Sequence, residues 1–238
     1  MMNSLPEGYR ALILGGGGAI GSALADALRA DTRCAAVVAL SRQPGAQGEP
    51  AIELTDAASL AAAAAALRPQ GPFHLIICAT GVLQLGPRSP EKRLADLDAE
   101  TMARAFAINT IGPAIAIQQF SDLLPLRERS LLGVLSARVG SIGDNRKGGW
   151  YAYRASKAAL NMLLRTAAVE VARRRPLAVL AALHPGTVAS PLSAPIIGDA
   201  EAATPAQAAH NLLAVLDGLP AEGASGGFHA WDGTPIPW

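Results

Sequence analysis

The stretch Arg10-Ala11-Leu12-Ile13-Leu14-Gly15-Gly16-Gly17-Gly18-Ala19-Ile20-Gly21 decides the fold. Arg10 to Leu14 is a short, mostly apolar run that stops at glycine, which reads as a buried strand. Beyond Gly21 the apolar residues recur with helical spacing as far as Ala30. A glycine-rich linker is not flanked so tightly by a strand and a helix. Glycines at such a junction let the backbone approach a pyrophosphate, and the helix start presents free N–H groups to it. The stretch therefore predicts the phosphate-cradling turn of a dinucleotide fold, with Gly15, Gly17, Gly18, Ile20 and Gly21 as candidate cofactor contacts.

Outward from that turn, the alternation of strand and helix continues to the end of the chain. Further strands are expected at Cys34–Leu40, Ala51–Leu54, Phe73–Ala79, Leu131–Leu135, Leu177–Leu183 and Gly226–Trp231. Helices are expected around Ala61–Ala66, over a long pattern from Leu94 to Leu124, up to Arg174 ahead of Pro176, and from Thr204-Pro205 to Leu216. No shift in composition divides the chain. Residues 1–238 therefore read as one α/β domain, a doubly wound parallel sheet of about seven strands with helices on both faces. Ligands of such a sheet gather outside the C-terminal strand ends. Thr187–Ala203, with Pro191, Pro195 and Gly198, reads as a lid there, and its Leu192, Pro195, Ile196 and Ile197 suggest an apolar pocket.

Composition narrows the function classes. Half of the 238 residues are hydrophobic, 16% are charged and the formal net charge is +1. That balance fits a folded globule and gives no argument for nucleic acid or an anionic membrane. Cys34 and Cys78 each lie in an apolar run and read as buried thiols rather than a disulfide or metal site. With no apolar run of roughly 18 residues and a polar start from Met1 to Tyr9, the expectation is a soluble cytoplasmic protein without a metal.

Several candidate site residues fall on the expected ligand edge. Tyr153 and Lys157 are four residues apart at the start of a helical pattern, about 400° of turn, so they share one face. An ammonium close to a phenol favours the phenolate and is expected to pull the tyrosine pKa down toward neutrality. Tyr151 lies six residues from Lys157, about 240° around the helix, on the wrong face. Ser41-Arg42 follow the second strand with no carboxylate, and a hydroxyl with a guanidinium suits a ribose 2′-phosphate. NADP(H) is thus preferred, with NAD(H) as the alternative. Thr80-Gly81, Ser136 and Pro185-Gly186 also follow strands. Asn109, inside the long helical pattern, reads by itself as a packing residue.

Together these residues resemble the short-chain dehydrogenase/reductase family over nearly the whole chain, Arg10 to Gly233. Tyr153-x-x-x-Lys157 matches its catalytic pair, Phe106-Ala107-Ile108-Asn109 the helix carrying its catalytic asparagine, and Pro185-Gly186-Thr187-Val188 the segment that holds nicotinamide. Phe228–Gly233 is similar to its usual ending, and Gly148–Lys157 resembles its C-factor-like branch, some of whose members are discussed as signalling proteins. The chain departs from the family at Ala19 in the glycine pattern, at Cys78-Ala79-Thr80-Gly81 after the fourth strand, and at Ala137, where a second serine is usual. Ser136 is the favoured hydrogen-bond donor, Ser141 the reserve, and a mechanism with no serine stays open. The resemblance implies hydride transfer between nicotinamide and a carbonyl or alcohol. Tyr153 would be the acid, Lys157 would sit on the ribose, and Asn109 would hold a water. It also implies cofactor contacts at Glu53, Leu54, Ala79, Gly81 and Val188. It further implies a homodimer or homotetramer, for which Ala155, Ser156, Ala158 and Ala159 permit close helix packing. The rival readings are a cofactor-binding sensor or signalling protein with little turnover, and an epimerase or methyltransferase on a related sheet.

Overall fold

The computed structural model describes residues 2–45, 48–86, 89–191, 193–194 and 202–238. Six parallel strands form one sheet in the order β2-β1-β3-β4-β5-β6: β1 Tyr9–Leu14, β2 Cys34–Leu40, β3 Leu75–Cys78, β4 Ser130–Leu135, β5 Ala178–His184 and β6 Gly227–Ala230. From β1 the chain runs outward to β2 and then returns to β3 on the other side. The order reverses there, the position at which open parallel sheets bind ligands. Register aligns the strand ends, with Leu14 opposite both Leu40 and Cys78, and Cys78 opposite Val134.

Every central strand is apolar on both faces, as expected of a parallel sheet covered twice. Leu12 and Leu14 face one layer, with α2 (Ala57–Leu67), α4 (Gly112–Phe120) and α5 (Tyr151–Arg174). Ala11 and Ile13 face the other, with α1 (Ala19–Arg29) and α6 (Pro205–Gly218). Leu60, Phe120 and Leu160 anchor the first layer, and Leu24, Leu212 and Leu216 the second. All six are fully buried, each worth about 1.5–3 kcal/mol of burial. Asp56 caps α2, accepting from the Ala58 N–H at 2.9 Å, and Thr204 with Gln207 closes a capping box on α6. No helix among the described residues is long and apolar enough to cross a membrane.

Two local expectations differ from the structure. Ala51–Leu54 is not a strand: the Ile52 N–H bonds to the Ser41 carbonyl at 2.8 Å, but the chain turns at Glu53–Thr55 before a ladder can form. The sheet therefore has six strands among the described residues. The helical run 94–124 is also broken, into a 3-10 turn at Leu94–Asp96, α3 at Ala99–Phe106, a π-helical turn at Ala107–Ile111 and α4. Asp98 caps the start of α3, accepting from the Thr101 N–H, and Pro113 explains the π turn. That proline lacks the N–H that would bond the Asn109 carbonyl, so the turn before it cannot stay α-helical. Gly112 N–H reaches back to the Ala107 carbonyl instead.

Candidate active site

The glycine turn after β1 is held by close approach. Gly15 and Gly16 N–H groups both bond the Leu40 carbonyl at 2.9 Å. Gly15 has φ +96°, and a Cβ there would lie 2.9 Å from the Ala79 carbonyl oxygen. At Gly21 a Cβ would fall 2.1 Å from the Gly15 oxygen, so α1 packs on the turn only with glycine at that position. Gly18 is the N-cap of α1 without a side-chain cap, and the first turn holds no acid. The opening N–H groups of α1, Ile20 among them, are thus free for an anion. Gly17 faces the end of β2, where its missing Cβ would meet Ser41 at 3.3 Å.

Beyond Ser41 a carboxylate, Glu53, shares the field of Arg42. Arg42 is exposed, and its charge reaches Glu53. The Glu53 carboxyl is held below its usual range mainly by the Thr55 N–H and hydroxyl, at 3.1 and 2.9 Å, with Arg42 adding a smaller pull. Leu54 does not face the turn alone. It packs on Gly112, where a Cβ would sit 2.6 Å from its Cγ.

The centre of the edge is built around Lys157. Its stem passes Gly140, where a Cβ would be 2.8 Å from Lys157 Cβ, and its head lies against Gly81. A Cβ on Gly81 would be 3.2 Å from Lys157 Nζ and 3.3 Å from Asn109 Oδ1, so three sequence-predicted residues converge. Asn109 turns both ends of its amide to Val82: Oδ1 accepts from the Val82 N–H and Nδ2 donates to the Val82 carbonyl, both at 2.8 Å. Nδ2 also reaches Ser156 Oγ at 3.2 Å, Ser156 donates to the Tyr153 carbonyl, and Thr110 donates to the Ser156 carbonyl at 2.7 Å. Ser156 is thus buried inside the chain's own network.

Tyr153 and Lys157 share α5, but their electrostatics reverse the expectation. Burial pushes the half-buried Tyr153 phenol up to about 12. Burial also pulls the Lys157 ammonium down to about 8. Lys157 Nζ donates to the Leu135 carbonyl at the end of β4. Helical spacing aligns the Cβ atoms, but it does not aim a four-carbon stem. Trp150 meets Tyr153 edge-on, ring centroids 6.3 Å apart. Tyr153 also borders a cavity of about 40 Å³ between Leu83, Leu85, Pro90, Glu91 and Thr101, room for roughly one water.

The serines are both engaged. Ser136 Oγ donates to Asn161 Oδ1 at 2.6 Å in a buried pair, and Ser141 Oγ accepts from the Asp144 N–H at 3.1 Å. Ala137 is buried beside them. Asn161 is a further residue of this site that the motif reading missed; its signal was spacing, four residues beyond Lys157 and eight beyond Tyr153. At the end of β5, His184 is kept neutral, pulled down to about 4 by burial and then by Arg138. Gly186 has φ +79° with Trp231 against it, and Val188 is buried and bridges to Ala203. Leu192 and residues 195–201, including Pro195, Ile196, Ile197 and Gly198 of the expected lid, lie outside the described residues. Cys34 and Cys78 are free thiols, both raised by burial.

Three comparisons bear on this arrangement. The family model described as short chain dehydrogenase matches residues 9–200. The 1-hydroxy-2-glutathionyl-2-methyl-3-butene dehydrogenase of Rhodococcus sp. (strain AD45) is 36% identical over 191 residues, 80% of each chain. The C-signal protein of Myxococcus xanthus is 39% identical over 171 residues, 71% of this chain and 94% of that one. Among solved structures, the NADPH-bound carbonyl reductase from chicken fatty liver shares the fold with a TM-score of 0.83 at 24% identity, covering 99% of this chain and 97% of that one.

Proposed function

The chain belongs to the short-chain dehydrogenase family, and on that premise we propose that it is an NADP(H)-dependent reductase of small carbonyl compounds with Tyr153 as its proton donor. The observation that carries the reading is the chain of close approaches along one sheet edge. Gly15 lies on Ala79, and Gly81 lies on both Lys157 and Asn109, one helical turn from Tyr153. Gly15 and Gly21 let the turn close tightly on Ala79 and α1, and α1 opens at Gly18 with no side-chain cap and no acid, so the residues fit the phosphates of such a cofactor.

NADPH, when bound, supplies the hydride. The chain's part is the proton and the fields around it. At pH 7 a phenol near 12 keeps its proton, ready for an oxygen that gains charge. An ammonium near 8 keeps its charge at that pH and suits ribose hydroxyls beside Gly81. Ser136 would turn from Asn161 to donate to the substrate oxygen. Asn109 has its side chain fixed on Val82, so its carbonyl, left without an ordinary helical donor by Pro113, is the group that suits a water. Ile111, Met162, Leu163 and Val169, exposed on the π turn and α5, support association of copies through that face.

A second reading, a cofactor-binding protein with little turnover, is favoured by Ala137 and by the commitment of Ser136 to Asn161. One experiment separates the two. The purified protein is titrated with NADPH, then assayed with a panel of aldehydes and ketones beside Tyr153→Phe. The reductase reading expects turnover that Tyr153→Phe abolishes, with NADPH affinity within about threefold because the ring is kept. Binding without turnover across the panel selects the second reading.

A further inference from the structure

We propose that Glu91 is a positioning residue for Tyr153, clamping the left-handed turn from which α5 starts. The inference rests on the reading of Tyr153 as proton donor. Three consecutive residues before α5 are left-handed: Gly148 at φ +62°, Gly149 at +66° and Trp150 at +53°. Trp150 is the only non-glycine residue with positive φ among the described residues, and a bulky side chain holds that conformation only where its surroundings impose it.

Glu91 imposes it from both sides of its own backbone. Its carbonyl accepts the Trp150 N–H, and that same oxygen lies 3.4 Å from where a Cβ on Gly149 would sit. Its carboxylate Oε2 accepts the Ala152 N–H at 3.4 Å, one residue before Tyr153. Trp150, the N-cap, provides no side-chain cap, and the first turn of α5 has no acid of its own. The anion that a helix N-terminus favours therefore comes from a segment 61 residues away.

Stability alone is a poor reason for this arrangement. Glu91 is 8% exposed, and its Oε1 is buried without a partner, which is costly for a carboxylate. The same residue lines the small cavity that Tyr153 and Ala152 border. The segment that walls this cavity is thus the segment that fixes where the first turn of α5, and the phenol on it, stands.

The test uses the full chain with Glu91→Ala, Glu91→Gln and Glu91→Asp. Amide exchange of residues 150–153 is read with kcat, KM and NADPH affinity. Glu91→Ala is expected to speed exchange at 150–153 at least about tenfold, with residues 162–174 unchanged. Its kcat should fall on the order of ten- to a hundredfold, with KM and NADPH affinity within about threefold. Glu91→Gln keeps a side-chain carbonyl acceptor and should recover most of kcat. Should Glu91→Ala not fold, Glu91→Asp, one methylene short of Ala152, is expected to show the same loss in a folded protein. Wild-type exchange at 150–153, or wild-type kcat in the folded Ala or Asp variant, overturns the proposal. Absence of turnover in the wild type would sink the reductase reading, while the exchange measurement still decides the clamp.

Discussion

Lys157 Nζ donates to the carbonyl oxygen of Leu135 at 2.9 Å, deep in the protein. A single backbone acceptor does not offset the burial of an ammonium, and the lysine pKa falls from 10.5 to about 8 for that reason. The protein thus keeps a charge that costs stability. Below pH 8 both folded and unfolded chains hold the proton, and the cost is fully present. Between 8 and 10.5 the unfolded chain binds more protons, so wild-type stability gains as pH rises. Lys157→Met should stabilise the fold at pH 7 by on the order of 2–3 kcal/mol, a gain that shrinks across that window. Urea unfolding of both proteins at pH 7 and 9.5 checks it; equal stability at pH 7 would contradict the account.

Gly21→Ala and Gly17→Ala should fail differently. At Gly21 the new Cβ meets backbone 2.1 Å away, at Gly17 only the Ser41 side chain at 3.3 Å. Gly21→Ala is expected to lose stability by about 2 kcal/mol or more, in the range of overpacked cores. Gly17→Ala should melt near wild type yet bind NADPH more weakly, because it crowds the turn where phosphates approach. Thermal melts with cofactor titrations test the pair, and equal melting temperatures would refute the distinction.

Ser136→Ala is expected to lower turnover more than Ser141→Ala, by roughly 10²–10³ for one lost donor. It should also destabilise by about 1–3 kcal/mol, since Asn161, whose Nδ2 already lacks a partner, would lose its bond at Oδ1 too. Turnover and unfolding are measured on both variants. If Ser141→Ala proves slower, the donor role moves to Ser141.

Arg42→Ala should remove most of a preference for NADPH over NADH, about ten- to a hundredfold for one charge-assisted contact. The preference should shrink with salt, because Arg42 is exposed. Glu53→Gln should widen it, since that carboxylate competes for the same guanidinium. Dissociation constants of both cofactors for the three proteins decide. Equal wild-type affinity for NADH and NADPH would make Arg42 a plain surface residue.

The sheet was legible in the sequence because its central strands are buried on both faces and read as unbroken apolar runs ended by glycine or a small polar residue. Leu14-Gly15 and Leu135-Ser136 show it, and each lands on the ligand edge. The π turn was hidden because apolar periodicity runs through it from 94 to 124; Pro113 was its one signal. Ala51–Leu54 has strand composition, but strand status depends on a neighbour's ladder, which composition does not report. The aim of Lys157 escaped for a related reason. Spacing sets where a side chain leaves the helix, while Gly81, Gly140 and Leu135, distant in sequence, set where it ends. Glu91 and Asn161 lie outside any motif and are seen only once α5 is seated.

Asn109 treats Val82 as a neighbouring strand would, giving one acceptor and one donor to the same residue. A side-chain amide stands in for a peptide group just past the end of β3. The chain is therefore moored at Val82, and its next tie to α5 among the described residues comes only at Glu91. Leu83 and Leu85 are therefore free to differ, changing the wall that faces Tyr153, without loosening Gly81 from Lys157 or Glu91 from α5.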